Sequence, residues 1–411
     1  MKRSLAIFFM TKNASIISII SFLTTVAVAR FIGPAEFGAY VNLLIISSII
    51  MVLTFFGTDQ TAALLRARNV KISQILKITH AIRLFIGIVV ILLCSIIYKD
   101  NPLFTLYIFA LSIPNYSFGY IYEITHKQVR FSYIQNIEKL TYLFSVMIMI
   151  YLDALTLSSL ILFYGMVASI SVIFQYFEVR NNFRLGNGST SIDFKEILKI
   201  NFPLVIVSLI ALQYGSVNRL FLEDSLGKEA LGIYSASWQL VMIGTVYQSL
   251  INRLWRPELS ESIEKKNLNQ LINSLVRYFL LGILPLAIAG VLLSVFGDNI
   301  ISLLFDERFY AAKQIIPYVA LYIPIIGAVA IVDLVWISTG RTYTYLLLSS
   351  FFSMMIIFIL WKFSSLFDLI DFAVFTVISH TIVSFTMFLL VLYIDLWTRF
   401  RKFKGNKMGI Q

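Results

Sequence analysis

The chain has little of what soluble enzymes and metalloproteins use. Charged residues make up 13% of the 411 residues, and there are three histidines and one cysteine, Cys94. One cysteine excludes an intrachain disulfide framework, and histidines so far apart in sequence give no metal-ligand spacing. The phosphate-binding pattern G-x-x-x-x-G-K-[ST] does not occur, which excludes an ATP-driven exporter within this chain. We therefore predict no metal, no cofactor and no catalytic residues.

Apolar residues are abundant instead, at 59% of the chain with a mean hydropathy of +0.84. These values lie outside the range of soluble domains. Mostly apolar runs that could cross a hydrocarbon core of about 30 Å as helices recur throughout, without the alternation of a β-barrel. We predict an all-α polytopic membrane protein with about twelve transmembrane helices, near residues 12–31, 37–58, 78–98, 102–122, 137–156, 158–177, 199–218, 231–252, 276–297, 314–337, 343–362 and 372–395.

The first apolar run predicts a retained helix. It is as long as a membrane span, and Lys12 interrupts the apolar segment before it, whereas the apolar core of a signal peptide is shorter.

The net charge of +11 reflects an uneven distribution of lysine and arginine. If the N-terminus is cytoplasmic, most of the 33 basic residues fall in cytoplasmic segments, including the tail "RFRKFKGNK". This positive-inside bias predicts that both termini are cytoplasmic. It also explains the basic charge without a nucleic-acid partner.

The stretch "RFIGPAEFGAY", residues 30–40, has a partial second copy, "LGKEALGIY", at residues 226–234. Two glycines and a tyrosine match at one constant spacing: Gly33, Gly38 and Tyr40 in the first copy, Gly227, Gly232 and Tyr234 in the second. Each copy lies between the first two spans of a six-span half, so we predict six-helix bundles over residues 1–186 and 187–411, the second with a basic cytoplasmic tail. The glycines suit helix ends and tight turns, where φ > 0 is tolerated.

Four stretches carry a family resemblance: "ARFIGPAEFGAYVNLLIISSII", "FFGTDQTAALLRAR", "HKQVRFSYIQNIEKL" and "NRLFLEDSLGKEALGIYSASWQL". With twelve spans and a 6+6 repeat, the sequence resembles the polysaccharide-export branch of the multidrug/oligosaccharidyl-lipid/polysaccharide (MOP) exporter superfamily, and within it the O-antigen flippases. The second copy departs from the first at Lys228, where the first has Pro34. Asn218 precedes Arg219 where the family often has an acidic residue, which weakens any ion-coupling role at that position.

The resemblance implies a pseudo-symmetric MOP/MATE-like fold and a flippase for lipopolysaccharide biosynthesis. Its substrate would be undecaprenyl-pyrophosphate-linked oligosaccharide, moved by alternating access from the cytoplasmic to the periplasmic leaflet of the bacterial inner membrane. Membrane lipids, an O-antigen polymerase and a chain-length regulator are the implied partners. Two alternatives stay open: a multidrug/cation antiporter of the same fold, and an integral-membrane O-antigen polymerase or ligase. Such enzymes generally have a large periplasmic loop, whereas the longest outer segment here is about residues 298–313.

Four arginines are candidate ligands for the pyrophosphate, because fixed cations at membrane depth and arginine's planar fork suit phosphate oxygens. Arg30 lies near the outer end of span 1, and Arg83 lies several residues inside span 3. Arg277 borders an apolar run, and Arg219 belongs to a family motif. The alternative for each is an interfacial arginine that extends to lipid headgroups.

Three other residues are candidates for ion coupling or pairing. Asp59 and Asp333 lie in apolar runs, where a carboxylate is costly unless it pairs with an arginine or binds a coupling ion. His380, in the middle of span 12, could titrate near neutral pH. The alternatives are a structural ion pair or a helix-end residue for the two aspartates, and a hydrogen-bonded core histidine for His380.

Prolines interrupt several predicted spans, at Pro114, Pro285, Pro317 and Pro324. Each removes a helix hydrogen bond and predicts either a bend used in alternating access or a static kink.

Overall fold

The structure is a computed structural model that describes residues 2–182, 194–212, 216–264, 268–338, 342–391 and 393. Across these ranges the regular elements are helices and no strand occurs. A helix satisfies its backbone N–H and C=O groups internally, as a segment in lipid must.

The chain folds as two compact units, Met1–Leu220 and Phe221–Gln411. The predicted boundary at residue 186 falls outside the described residues, so the division into two six-helix bundles stays a prediction. The helices of the first unit are α1 (Lys2–Ile32), α2 (Pro34–Phe55), α3 (Thr58–Ala67), α4 (Ile72–Ile97), α5 (Pro102–Ser112), α6 (Gly119–Ile124), α7 (Gln128–Tyr151), α8 (Leu157–Asn182) and α9 (Phe194–Leu212).

The second unit contains most of α10 (Asn218–Glu264), followed by α11 (Leu268–Tyr278), α12 (Leu284–Leu304), α13 (Ala312–Ala320), α14 (Tyr322–Ser338), α15 (Thr342–Phe363) and α16 (Leu369–Val391). A π turn, Phe279–Ile283, joins α11 to α12, and Pro285 is the second residue of α12. Pro317 lies inside α13, and Pro324 lies in the first turn of α14.

Within the described residues, each of the twelve predicted spans coincides with helical structure. In the same part of the chain, eight helical segments are long and apolar enough to cross a membrane. The protein is a multi-pass membrane protein. The short helix α3, which follows α2 and carries Asp59, was not predicted from the sequence. The α7 helix begins earlier than predicted.

Two of the repeated glycines share a backbone conformation that side chains rarely permit. Gly33, between α1 and α2, has φ 83° and ψ 169°. Gly227, inside the long α10, has φ 86° and ψ 177° and breaks the helix there. This region is nearly exclusive to glycine. The predicted positive φ is confirmed at both positions, whereas Gly38 and Gly232 lie within helices.

The fourth predicted span is not one helix. The α5 helix ends at Ser112, a 3-10 turn over Ile113–Tyr116 contains Pro114, and α6 begins at Gly119. Proline has no N–H to donate and its ring clashes with the preceding turn, so the regular hydrogen-bond ladder stops here. This break lies beside α4 and α8 and organises the polar interior of the first unit.

Candidate functional site

Arg83 is the centre of the polar cluster in the first unit. It projects from α4 and is 0% exposed. Its Nε donates to the Thr58 hydroxyl at 3.3 Å, and its Nη2 forms an ion pair with Asp59, both on α3. Its Nη1 donates to two backbone carbonyls of the broken span, Asn115 and Ser117, each at 3.0 Å. The structure thus brings together Arg83 and Asp59, two residues that the sequence marked separately as candidates.

Two aromatic rings complete the surroundings of this guanidinium. Its central carbon lies 4.6 Å from the ring centroid of Phe55 and 5.0 Å from that of Tyr120. A buried charge requires a partner and hydrogen bonds for each polar group, and here the protein supplies both. Arg83 is therefore directed at protein acceptors in this conformation. Asp59 differs, because its side chain is 39% exposed and presents an open edge.

His80, which was not among the residues predicted from the sequence, adjoins this cluster. It precedes Arg83 by three residues on α4, and its Nδ1 lies 2.8 Å from the Tyr120 hydroxyl and 3.2 Å from the Leu76 carbonyl. Its ring stacks on Phe118 at a centroid distance of 4.5 Å. The sequence signal was the spacing, because residues three apart share a helix face.

A polar stripe on α8 contacts the other side of the broken span. Gln175 accepts a hydrogen bond from the Phe118 N–H at 2.9 Å and donates to the Ser171 hydroxyl at 3.1 Å. Glu178 accepts from the Tyr122 hydroxyl at 2.8 Å. Its carboxylate, 3% exposed, also forms an ion pair with the half-exposed Arg130 on α7. This stripe was not predicted, although glutamine and glutamate interrupt an otherwise apolar run.

The other three candidate arginines lie at helix termini and are less buried. Arg30 is exposed in the last turn of α1, and Arg219 is partly buried near the start of α10. Arg277 lies in the last turn of α11 with its side chain 64% exposed, 3.9 Å from Glu258. Their proposed contact with substrate stays a prediction.

Asp333 and His380 lie in the second unit. Asp333, on α14, accepts a hydrogen bond from the Tyr345 hydroxyl at 2.5 Å. Among the described residues, no basic side chain forms an ion pair with it. His380 is fully buried on α16, and its Nδ1 lies 2.7 Å from the Thr376 carbonyl. A carbonyl only accepts, so Nδ1 carries the proton.

Within the described residues, no group of three or more histidine, cysteine, aspartate or glutamate side chains could hold a metal ion.

Solved structures identify the fold class. The chain is similar to an inward-facing MATE-family multidrug resistance transporter of the MOP superfamily, with a TM-score of 0.75, 12% identity and coverage of 95% of this chain and 96% of that one. It is also similar to the lipid II flippase MurJ in its inward closed conformation, with a TM-score of 0.71, 13% identity and coverage of 95% and 86%. The protein has the fold of MOP-superfamily transporters, and the predicted fold class is confirmed.

A family model described as polysaccharide biosynthesis protein matches residues 6–263, more than half of the chain. The chain belongs to this family, which confirms the resemblance seen in the sequence. A curated relative, the capsular polysaccharide biosynthesis protein CapF of Staphylococcus aureus, is 26% identical over 129 residues. That alignment covers 31% of this chain and 32% of the relative, so it spans about a third of each.

Proposed function

We propose that the protein is a flippase for undecaprenyl-pyrophosphate-linked oligosaccharide, the O-antigen repeat unit. It moves this lipid from the cytoplasmic to the periplasmic leaflet of the bacterial inner membrane by alternating access, with both of its termini in the cytoplasm. The observation that carries the proposal is membership of the polysaccharide biosynthesis family in a chain with a MOP transporter fold. The similarity to a protein described as a lipid II flippase supports a lipid-linked substrate.

The physical difficulty of the task explains why a transporter is needed. Each sugar hydroxyl that enters hydrocarbon without a hydrogen-bond partner costs several kcal/mol, so unassisted transfer of an oligosaccharide costs on the order of tens of kcal/mol. Polar surface inside the protein lowers this barrier while the polyprenyl tail stays in lipid. The pyrophosphate adds negative charge, which fixed arginines stabilise.

For the pyrophosphate we propose Arg30, Arg219 and Arg277. Arg30 and Arg277 are exposed, so phosphate oxygens can reach their planar guanidinium groups. Arg83, the fourth candidate, already donates to four protein groups, and its geometry supports a different role, argued below.

For ion coupling we propose Asp333, with Asp59 and His380 as further candidates. Asp333 accepts a hydrogen bond from Tyr345 and has no ion pair among the described basic residues, so it can take up a proton or a monovalent cation.

A multidrug/cation antiporter of the same fold is the second candidate function. The TM-score of 0.75 to a MATE-family multidrug resistance transporter favours it on shape, whereas the family model favours polysaccharide export.

Deletion of the gene and its restoration from a plasmid test the proposal. The measurement compares surface lipopolysaccharide with the lipid-linked oligosaccharides retained on the cytoplasmic face. Loss of surface polymer with single lipid-linked units trapped inside supports flipping. Single units that reach the surface without long chains indicate a polymerase or ligase, and an unchanged surface with lost drug resistance indicates the antiporter.

Substitution of the arginines tests the site in the same assay. Arg30→Ala and Arg277→Ala should lower export at normal protein levels, and lysine at either position should restore it in part. Arg308→Ala is the matched control, because Arg308 is a half-exposed arginine already paired with Asp306. Full export by both alanine variants would show that these arginines do not bind the substrate and instead contact lipid headgroups.

A further inference from the structure

We propose that Arg83 and Gln175 are positioning residues that hold the fourth membrane span broken, and that Arg83 is not a ligand of the transported anion. The proposal rests on contacts within the first unit. It does not depend on the identity of the substrate, so it can fail or succeed separately from the proposed flippase activity.

The break at Pro114 leaves backbone groups without their regular helical partners. The Ser117 N–H bonds back to the Pro114 carbonyl, and the Ile121 N–H bonds to the Phe118 carbonyl, which are short turns rather than continuous helix. The carbonyls of Asn115 and Ser117 and the N–H of Phe118 need other partners. Such groups are tolerated at membrane depth only where neighbouring protein satisfies them.

Two side chains supply these partners with the matching chemistry. Arg83, which can only donate, bonds both carbonyls through Nη1 at 3.0 Å. Gln175 presents its carbonyl oxygen to the Phe118 N–H at 2.9 Å, and its own amide is oriented by the Ser171 hydroxyl. Arg83 is 0% and Gln175 1% exposed, so water does not replace either contact. Arg83 has no acceptor atom for the Phe118 N–H, so that acceptor has to come from Gln175.

The charge of Arg83 is compensated inside the same cluster. Asp59 forms its ion pair and Thr58 accepts from Nε, and both belong to α3. Through these contacts, Arg83 and Gln175 link α3, α4, the broken span and α8 into one polar cluster. The described contacts use four of the five guanidinium N–H groups, and Arg83 is 0% exposed, so an anion would have to enter the packed cluster and compete with Asp59.

Amide hydrogen exchange on the full-length protein in detergent, followed by mass spectrometry, tests the proposal directly. The readout is the exchange of peptides over residues 112–124, compared with peptides from α13 and α14. Gln175→Leu removes the acceptor for the Phe118 N–H, and Arg83→Met removes the donors to both carbonyls. Each should speed exchange over residues 112–124 by about tenfold or more, while α13 and α14 stay unchanged. Gln314→Leu, at an exposed glutamine of α13, is the matched control and should leave residues 112–124 unchanged.

Two further measurements separate positioning from anion binding. Arg83→Lys keeps the charge next to Asp59 but lacks the planar guanidinium that bonds both carbonyls. Its exchange rate over residues 112–124 should therefore lie between those of the wild type and Arg83→Met. This variant replaces Arg83→Met in the exchange experiment if Arg83→Met does not fold. Inorganic pyrophosphate is then added to the wild-type protein and to Arg83→Lys, and the thermal shift is recorded. We expect the pyrophosphate-dependent shift to be equal in both. Unchanged exchange over residues 112–124 in the Arg83 and Gln175 variants, or a pyrophosphate shift lost in Arg83→Lys, would overturn the proposal.

Discussion

The ion pair between Glu178 and Arg130 predicts different losses of stability for its two single variants, because the two side chains are unequally buried. The Glu178 side chain is 3% exposed, whereas Arg130 is 55% exposed. Removal of Arg130 leaves a buried carboxylate with a hydrogen bond only from Tyr122 among the contacts described above. Removal of the Glu178 charge leaves an arginine that water can solvate. The two single variants should therefore differ in stability, although they break the same ion pair.

The magnitudes lie between two known limits. Breaking a fully buried pair by removing one partner costs about 3–5 kcal/mol, and an exposed pair is worth about 0–1 kcal/mol. With one partner half exposed, we expect Arg130→Met to lower the free energy of unfolding by about 2 kcal/mol and Glu178→Gln by about 1 kcal/mol. The double variant should lose about 1 kcal/mol, because the glutamine no longer needs a cation.

Equilibrium unfolding by SDS in mixed micelles, on the four proteins of this double-mutant cycle, measures these differences. Arg308→Met is the control, because its partner Asp306 is 29% exposed, against 3% for Glu178, so the loss should be less than about 1 kcal/mol. Additive losses, or an Arg130→Met variant no less stable than Glu178→Gln, would refute the reasoning from burial.

Two other predictions concern the repeat and the second unit. Gly33→Ala and Gly227→Ala should each cost about 1–3 kcal/mol by thermal unfolding, because φ near +85° excludes side chains. At Gly227 an added Cβ would have nothing within 4 Å, so the cost there is purely one of backbone conformation, and Leu226→Ala, at its exposed neighbour, should cost less. In vesicles with imposed ion gradients, Asp333→Asn should lose the gradient dependence of transport, whereas Tyr345→Phe should retain it with slightly lower stability. Gradient dependence preserved in Asp333→Asn would make Asp333 a structural residue.

The local elements of this protein were predictable because their causes are local. Uninterrupted apolar runs have to form helices in lipid. The repeated glycines predicted a positive φ, which Gly33 and Gly227 have. Arg83 and Asp59 were recognisable as intramembrane charges, since a charge in an apolar run is costly without a partner.

The composition, the spans, the family resemblance and the candidate charges were thus determined by the sequence alone. Only the tertiary structure decided which groups meet. It pairs Arg83 with Asp59, 24 residues away, and places Gln175 on a backbone N–H 57 residues away. It also decides that Pro114 breaks its span while Pro317 stays inside a helix. Such outcomes depend on whether packed neighbours satisfy the backbone groups that a proline releases, and no run of adjacent residues contains that information.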